Sequence, residues 1–295
     1  MSVGHHDSIR VPYLPLGDHL TVSVQFDLDN AMRYIGDDEL KDWGVTLKEA
    51  LQAARDNLWT ISNESFVEVA PGVYRSPWQD NRDAARLFLH DLIWQLPVQG
   101  QHVTMVPNRD VLLVTGSENL QGLDFLAKTT EELLQDGRFI SGIPAILDGR
   151  VWKTWRSTGS EPAHLALARL HALTIAAEYE DQASLLREQF EQQGDDVFVA
   201  SVMVTSNPKS GETRNVAVWD RGTKTSLPRV DELVFVGDMG NDAEEAIVAW
   251  GVAVEIVGDL MELQGIYPER FLVSAFPNDA QWQQLKATDC DSGRG

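Results

Sequence analysis

Two aspartates spaced two apart, Asp27 and Asp29 in FDLDN, and two more in GDMGND, Asp238 and Asp242, could together move a phosphoryl group. In that chemistry the first carboxylate of the leading pair attacks phosphorus, and the second protonates the leaving oxygen. The later acids hold Mg²⁺, which neutralises and orients the phosphate. Thr115 ends the apolar run VLLVT between the two acidic motifs and would supply a hydroxyl to steady the phosphate. Asp27, Asp29, Thr115, Asp238 and Asp242 with Mg²⁺ therefore define one candidate activity, a phosphohydrolase.

The types and order of these residues resemble the haloacid-dehalogenase-type phosphatases, and AWGVAV (249–254) resembles what often follows their acidic motif. The elements that must position them point elsewhere. Such a nucleophile ends a parallel strand buried on both faces, which reads as a near-continuous apolar run. Leu20 to Asp27 instead alternates, with Ser23 and Gln25 between Val22, Val24 and Phe26, as in a strand with one wet face. Position 31 is Ala where such enzymes carry Thr. Of the lysines between Thr115 and Asp238, Lys224 stands too close to the acidic motif for an intervening strand–helix–strand step. The reading preferred here has no catalytic residue, no metal and no cofactor.

A second candidate is a turn. Pro107-Asn108-Arg109-Asp110 joins two apolar strand-like runs. Proline removes a backbone donor at a strand end, Asn tolerates turn geometry, and Arg109 and Asp110 can pair or cap the turn. Asn108, Arg109 and Asp110 are the binding candidates, and Arg109 suits an anionic ligand or a protein carboxylate. The structural alternative, a rigid connection with a satisfied ion pair, is favoured over it. Asp110, Asp238, Asp242 and Glu244 would make only a nonspecific cation site. His164 and His171 lie seven apart, two helical turns, where a metal pair is normally three or four apart. His90 reads as a core histidine. Dinucleotide-binding, Walker and G-x-S-x-G patterns are absent from the sequence.

The periodicity predicts a helix over 47–58 opened by the capping box Thr46-Leu47-Lys48-Glu49, which orients the helix so that Trp43 and Leu58 are core residues of the first lobe. It predicts a hairpin at 66–74, a helix over 81–96 capped by Asn81, strands at 102–106 and 111–115, and a helix over 123–134. Asp148-Gly149 suits a hairpin turn. A long helix, whole or broken near 178–181, covers 163–193. A hairpin spans NPKSGE, and strands are expected at 233–236, 252–257 and 271–276. Trp59 and Trp94 read as core fillers. Hairpins outnumber strand–helix alternations, so the fold class is α+β with mixed or largely antiparallel sheets in two lobes. The expected divisions are an extension 1–19, a first lobe 20–156, a linker 157–162, a second lobe 163–283 and a flexible tail 284–295.

The formal charge of −21 and the absence of a basic run exclude a phosphate-backbone partner and oppose an anionic membrane surface. Cys290 is the only cysteine, which fits a reducing cytoplasm. No signal peptide or membrane-length apolar run is present in the sequence. YIGDDELKDWGVTLKEALQAARDNL (34–58) and QHVTMVPNRDVLLVTGSENLQGLDFL (101–126) closely resemble the bacterial family called domain of unknown function 1444. Echoes at Leu227-Pro228, 268–271 and Phe276-Pro277 extend that resemblance over about 20–280. It implies no activity. The expectation is a cytoplasmic protein that acts through a protein partner, its oligomeric state left open.

Overall fold

The computed structural model describes residues 10–28, 31–134, 139–237 and 244–288. Two compact units divide the chain, Met1–Leu167 and Ala168–Gly295. The division falls just inside a helix rather than at the 157–162 segment. The class is α+β, with paired strands mostly antiparallel.

In the first unit, β1 (Leu14–Leu16) pairs with β2 (Leu20–Val22), and β3 (Gln25–Leu28) with β4 (Ala31–Tyr34). The alternating run 20–27 is thus split between two separate hairpins. α1 (Asp37–Asp42) and α2 (Leu47–Thr60) follow. The predicted capping box of α2 forms: Thr46 accepts from Glu49 N–H at 3.3 Å, and Glu49 accepts from Thr46 N–H at 2.8 Å. Leu51 and Leu58 are buried, and Leu51 forms one cluster with Val24, Ile35 and Leu40. Trp43 is not in the core. It closes the short α1 before left-handed Gly44, off the apolar stripe of α2, and remains exposed. Trp59 and Trp94 are exposed as well.

β5 (Val67–Ala70), β6 (Val73–Arg75), β7 (His102–Asn108), β8 (Val111–Gly116), β9 (Ala145–Asp148) and β10 (Val151–Thr154) form one antiparallel sheet, ordered β10-β9-β7-β8-β6-β5. Every residue of β8 is buried, because both faces are covered. α4 (Leu120–Leu133) buries Leu123, Leu126 and Ala127 against one face. Leu112 and Val114 face the other cluster, with Leu87, Ile93 and Trp152.

The helix expected over 81–96 is instead a 3-10 turn (Ala84–Phe88) and a short α3 (His90–Trp94), broken at Leu89. Trp152 Nε1 donates to the carbonyl of Leu87 at 2.8 Å, taking an acceptor that a continuous helix would use.

α5 (Pro162–Gln193) is one unbroken helix of 32 residues. In the second unit, β12 (Met203–Ser206), β13 (Thr213–Asp220), β15 (Glu232–Val236) and β16 (Glu245–Ala249) form a sheet in that order. β11 (Phe198–Val199), β14 (Thr225–Pro228), β18 (Arg270–Val273) and β17 (Glu262–Leu263) form another. β13–β15 and β11–β14 are parallel. α6 (Trp250–Val257) and α7 (Asp279–Ala287) cover a core built on Trp219, Phe235 and Val248. The strand expected at 252–257 is α6, whose β-branched residues favour extended backbone in isolation. Burial of Ala253 and Val257, one turn apart, overrides that preference.

Arg270 holds the second unit together from within. It is fully buried, and its guanidinium donates to Gln182 Oε1 (2.7 Å), the carbonyls of Ala200 and Ser226 (both 2.9 Å) and that of Tyr179 (3.3 Å). Burial pushes its pKa down to about 10.

Candidate functional site

The loop 76–83, SPWQDNRD, leaves β6 and meets both the β7–β8 turn and β3. Its start is fixed by the sheet: Ser76 N–H donates to the Leu112 carbonyl at 3.0 Å, and Leu112 N–H to Ser76 Oγ at 3.1 Å. The chain then bends sharply. Gln79 and Asn81 take φ of 49° and 61°, a region that costs an L-residue roughly 1–2 kcal/mol, less for Asn.

Asp80, between them, is what the bend presents. Its carboxylate accepts two hydrogen bonds from Arg86, both 2.8 Å. Arg86 is fully buried, donates through Nε to Ser62 Oγ at 2.9 Å, and lies 4.1 Å over the Trp78 ring. The hydrogen bonds from Arg86 hold the Asp80 carboxyl below the usual carboxylate range, against the opposing effect of burial. Arg82 donates to the Asp80 carbonyl at 3.1 Å, and its other terminal nitrogen pairs with Asp27 on β3. Asp83 is also buried, accepting from Asp80 N–H at 3.3 Å. Asp83 Oδ1, Trp78 Nε1 and Arg75 Nε have no hydrogen-bond partner among the described residues.

The β7–β8 turn closes on this loop. Asn108 is buried and its Oδ1 accepts from Asp110 N–H at 3.0 Å. Asp110 Oδ1 accepts from Asn81 N–H at 2.7 Å, and the Arg109 carbonyl from Ala84 N–H at 3.1 Å. The Arg109 side chain is exposed and forms no ion pair among the described residues. The expected Arg109–Asp110 pair is therefore replaced by a backbone clamp, in which Asp110 secures the strained loop.

Of the candidate residues, the structure brings 108–110 and, through Arg82, Asp27 to one loop. Asp27 sits on an exposed antiparallel hairpin, not at the end of a parallel strand. Thr115 is four residues further along β8 than Val111, roughly 13 Å away, where its Oγ1 donates to the Gly72 carbonyl at 2.8 Å. Asp29, Asp238 and Asp242 lie outside the described residues. Glu244 accepts from Lys286 Nζ at 2.7 Å and Trp282 Nε1 at 3.2 Å. No three His, Cys, Asp or Glu side chains gather as a metal site among the described residues.

Asp80, Arg82, Asp83 and Arg86 escaped the sequence reading. Their signal was the charge-dense DNRDAAR between Ser-Pro-Trp and an apolar run, but Asn81 read as a helix cap. What the arrangement does chemically is hold charges in fixed pairs while leaving one cation, Arg109, on a rigid turn.

Among the described residues, no helix is long and apolar enough to cross a membrane. No family model matches the chain, and no solved structure matches it. It is similar to a UPF0354 protein of Oceanobacillus iheyensis, 30% identical over 121 residues, covering 40% of this chain and 45% of that one. A UPF0354 protein of Listeria innocua is 30% identical over 116 residues, covering 38% and 44% respectively. One from Staphylococcus haemolyticus is 28% identical over 117 residues, covering 38% and 40%. The chain thus spans less than half the length of the curated relatives it matches, a shorter likeness than the expected 20–280. The likeness is to an uncharacterised bacterial family, and the relatives' names carry no activity.

Proposed function

We propose that this chain is a cytoplasmic interaction or regulatory protein without catalysis of its own, with the 108–110 turn as its contact point. The narrower assignment to domain of unknown function 1444, resting on 34–58 and 101–126, belongs to the same proposal. One observation carries it: Arg109 is exposed on a turn whose backbone is clamped by Asn108, Asp110 and Ala84. In a chain of net charge −21, a cation without an ion pair among the described residues suits a partner's carboxylate. A preorganised turn also lowers the ordering cost of binding. Against the Mg²⁺ phosphohydrolase reading stands Asp27 itself, held by Arg82 on an antiparallel hairpin rather than at the end of a parallel strand.

The test is a photo-crosslinking side chain at Asn81, beside the turn, followed by reconstitution with the purified partner it captures. Arg109→Met should weaken that complex by about tenfold, as for an interface hot spot, and leave the melting temperature unchanged. Unchanged affinity in Arg109→Met would reject the anchor. Mg²⁺-dependent hydrolysis of an aryl phosphate that disappears in Asp27→Asn would reject the whole reading.

A further inference from the structure

We infer that the face of the β3–β4 hairpin carrying Phe26 and Leu28, with Trp43 beside it, docks a basic amphipathic segment of a partner protein. Alternation along β3 puts Phe26 and Leu28 on one face and Asp27 on the other, where Arg82 takes it. Trp43 packs edge-on against Phe26 with ring centroids 6.0 Å apart. Phe26, Leu28 and Trp43 nevertheless stay 44%, 50% and 47% exposed. Adjacent large apolar side chains left in water in this way mark interaction sites, and aromatics are enriched in them. Among the described residues the hairpin is a sheet of two strands, so its outer backbone edges carry no further strand and suit strand addition by a partner.

Charge decides the occupant. Between Gln25 and Trp43 the sequence has six acidic and two basic residues. Both basic residues are already engaged there, Arg33 with Glu39 at 2.7 Å and Lys41 with Asp38 at 2.9 Å. Asp37 meets Arg10 at 3.6 Å, and Asp42 remains exposed. An apolar patch in an acidic stretch of a chain at −21 is complemented by an apolar stripe flanked by Lys and Arg. A second copy of this chain, also at −21, is repelled, as is an anionic bilayer. This surface shares no residue with the Arg109 turn, so either proposal can fail while the other stands.

The probe is a synthetic amphipathic Leu/Lys helical peptide, titrated onto the full chain and mapped by hydrogen exchange. Protection should appear at 25–34 and 37–43. The double variant Phe26→Ser/Trp43→Ser should bind about tenfold more weakly, and Leu28→Ser, a milder change, should weaken binding in the same direction. A Lys/Ser peptide of equal charge should not bind comparably. Equal binding of that peptide would reduce the effect to charge alone and overturn the inference. So would protection confined to other regions, full affinity in variants that melt like wild type, a dimer that buries 25–43, or preferential binding to phosphatidylcholine vesicles.

Discussion

Replacing Arg86 by methionine would remove the donor to Ser62 Oγ and both guanidinium donors to Asp80, leaving that carboxylate the Arg82 N–H at 3.0 Å on a bend it stabilises less. Breaking a buried pair from one side typically costs about 3–5 kcal/mol, because one charge is orphaned. Arg86→Met should therefore lower the denaturant midpoint severely. Arg86→Met with Asp80→Asn should recover part of the loss, and additive single effects would show that the two are not coupled. The pair also sets a pH dependence. Because the folded pKa of Asp80 is depressed, its stabilisation is present throughout the neutral range and is lost as pH falls below the ordinary carboxylate range. Wild type should thus lose its advantage over Asp80→Asn only in acid, as read from midpoints across a pH series. At this scale the sequence was half legible. The 108–110 turn stood out because Pro and Asn announce turns locally. Asp80 and Arg86 did not, because their meaning depends on a left-handed bend that only Gly or a repeated Asn-Gly would advertise. Trp43 misled for a related reason: hydrophobicity says that a residue can be buried, and not whether a short helix aims it at anything.

Helices with local signatures and hairpins with turn dipeptides were readable: α2 through its capping box, β9–β10 through Asp148-Gly149, and β12–β13 across NPKSGE. Elements decided by tertiary contact were not. α6 is built from strand-favouring residues, and the 84–94 region is broken by a tryptophan more than sixty positions away. α5 illustrates how such contacts act on a helix. Tyr179 Oη donates to the Glu269 carbonyl at 2.7 Å, Gln182 Nε2 to that of Pro268 at 2.8 Å, and Arg270 reaches back to both residues. Arg270→Met should destabilise the chain by roughly 3 kcal/mol or more, since four acceptors each lose a donor. Arg270→Lys should rescue little, because one ammonium cannot reproduce the planar fork. Near-wild-type melting of the Lys variant would mean that charge and not geometry matters there. Glu178 on the same helix predicts the opposite pH behaviour to Asp80. Burial, then the nearby Asp181 charge, pushes its pKa up to about 7. The folded state then holds a proton that the unfolded state releases, so stability falls as pH rises from the ordinary carboxylate range through about 7. Glu178→Gln should match wild type near about pH 5 and exceed it near about pH 8. A variant that is no more stable at the higher pH would show that the ionised carboxylate is well accommodated.

For the molecule as a whole, charge is the dominant bulk property. A net −21 raises the free energy of any compact state through self-repulsion, and that repulsion acts over distances that salt shortens from roughly 30 Å at 0.01 M to about 10 Å at 0.1 M. The short pairs Arg86–Asp80 and Arg33–Glu39 are screened less than the long-range field. Adding sodium chloride over that range should therefore raise the melting temperature. A fall would indicate that local pairs outweigh the global field. The division into Met1–Leu167 and Ala168–Gly295 falls within α5. Ser and Gly at 157–160 look like a linker, whereas the division lies within an unbroken helix, a place without a local sequence mark.

The uneven placement of the nine tryptophans makes the chain its own optical instrument. Trp152 and Trp219 are sealed in the two separate cores and will emit in the blue, beyond the reach of iodide or acrylamide. Trp43, Trp59 and Trp94, all in the first unit, face water and will emit at longer wavelength and be quenched readily. Red-edge intensity can thus follow events at the surface of one unit, Trp43 included, while the blue edge reports on the interiors, without any label being attached.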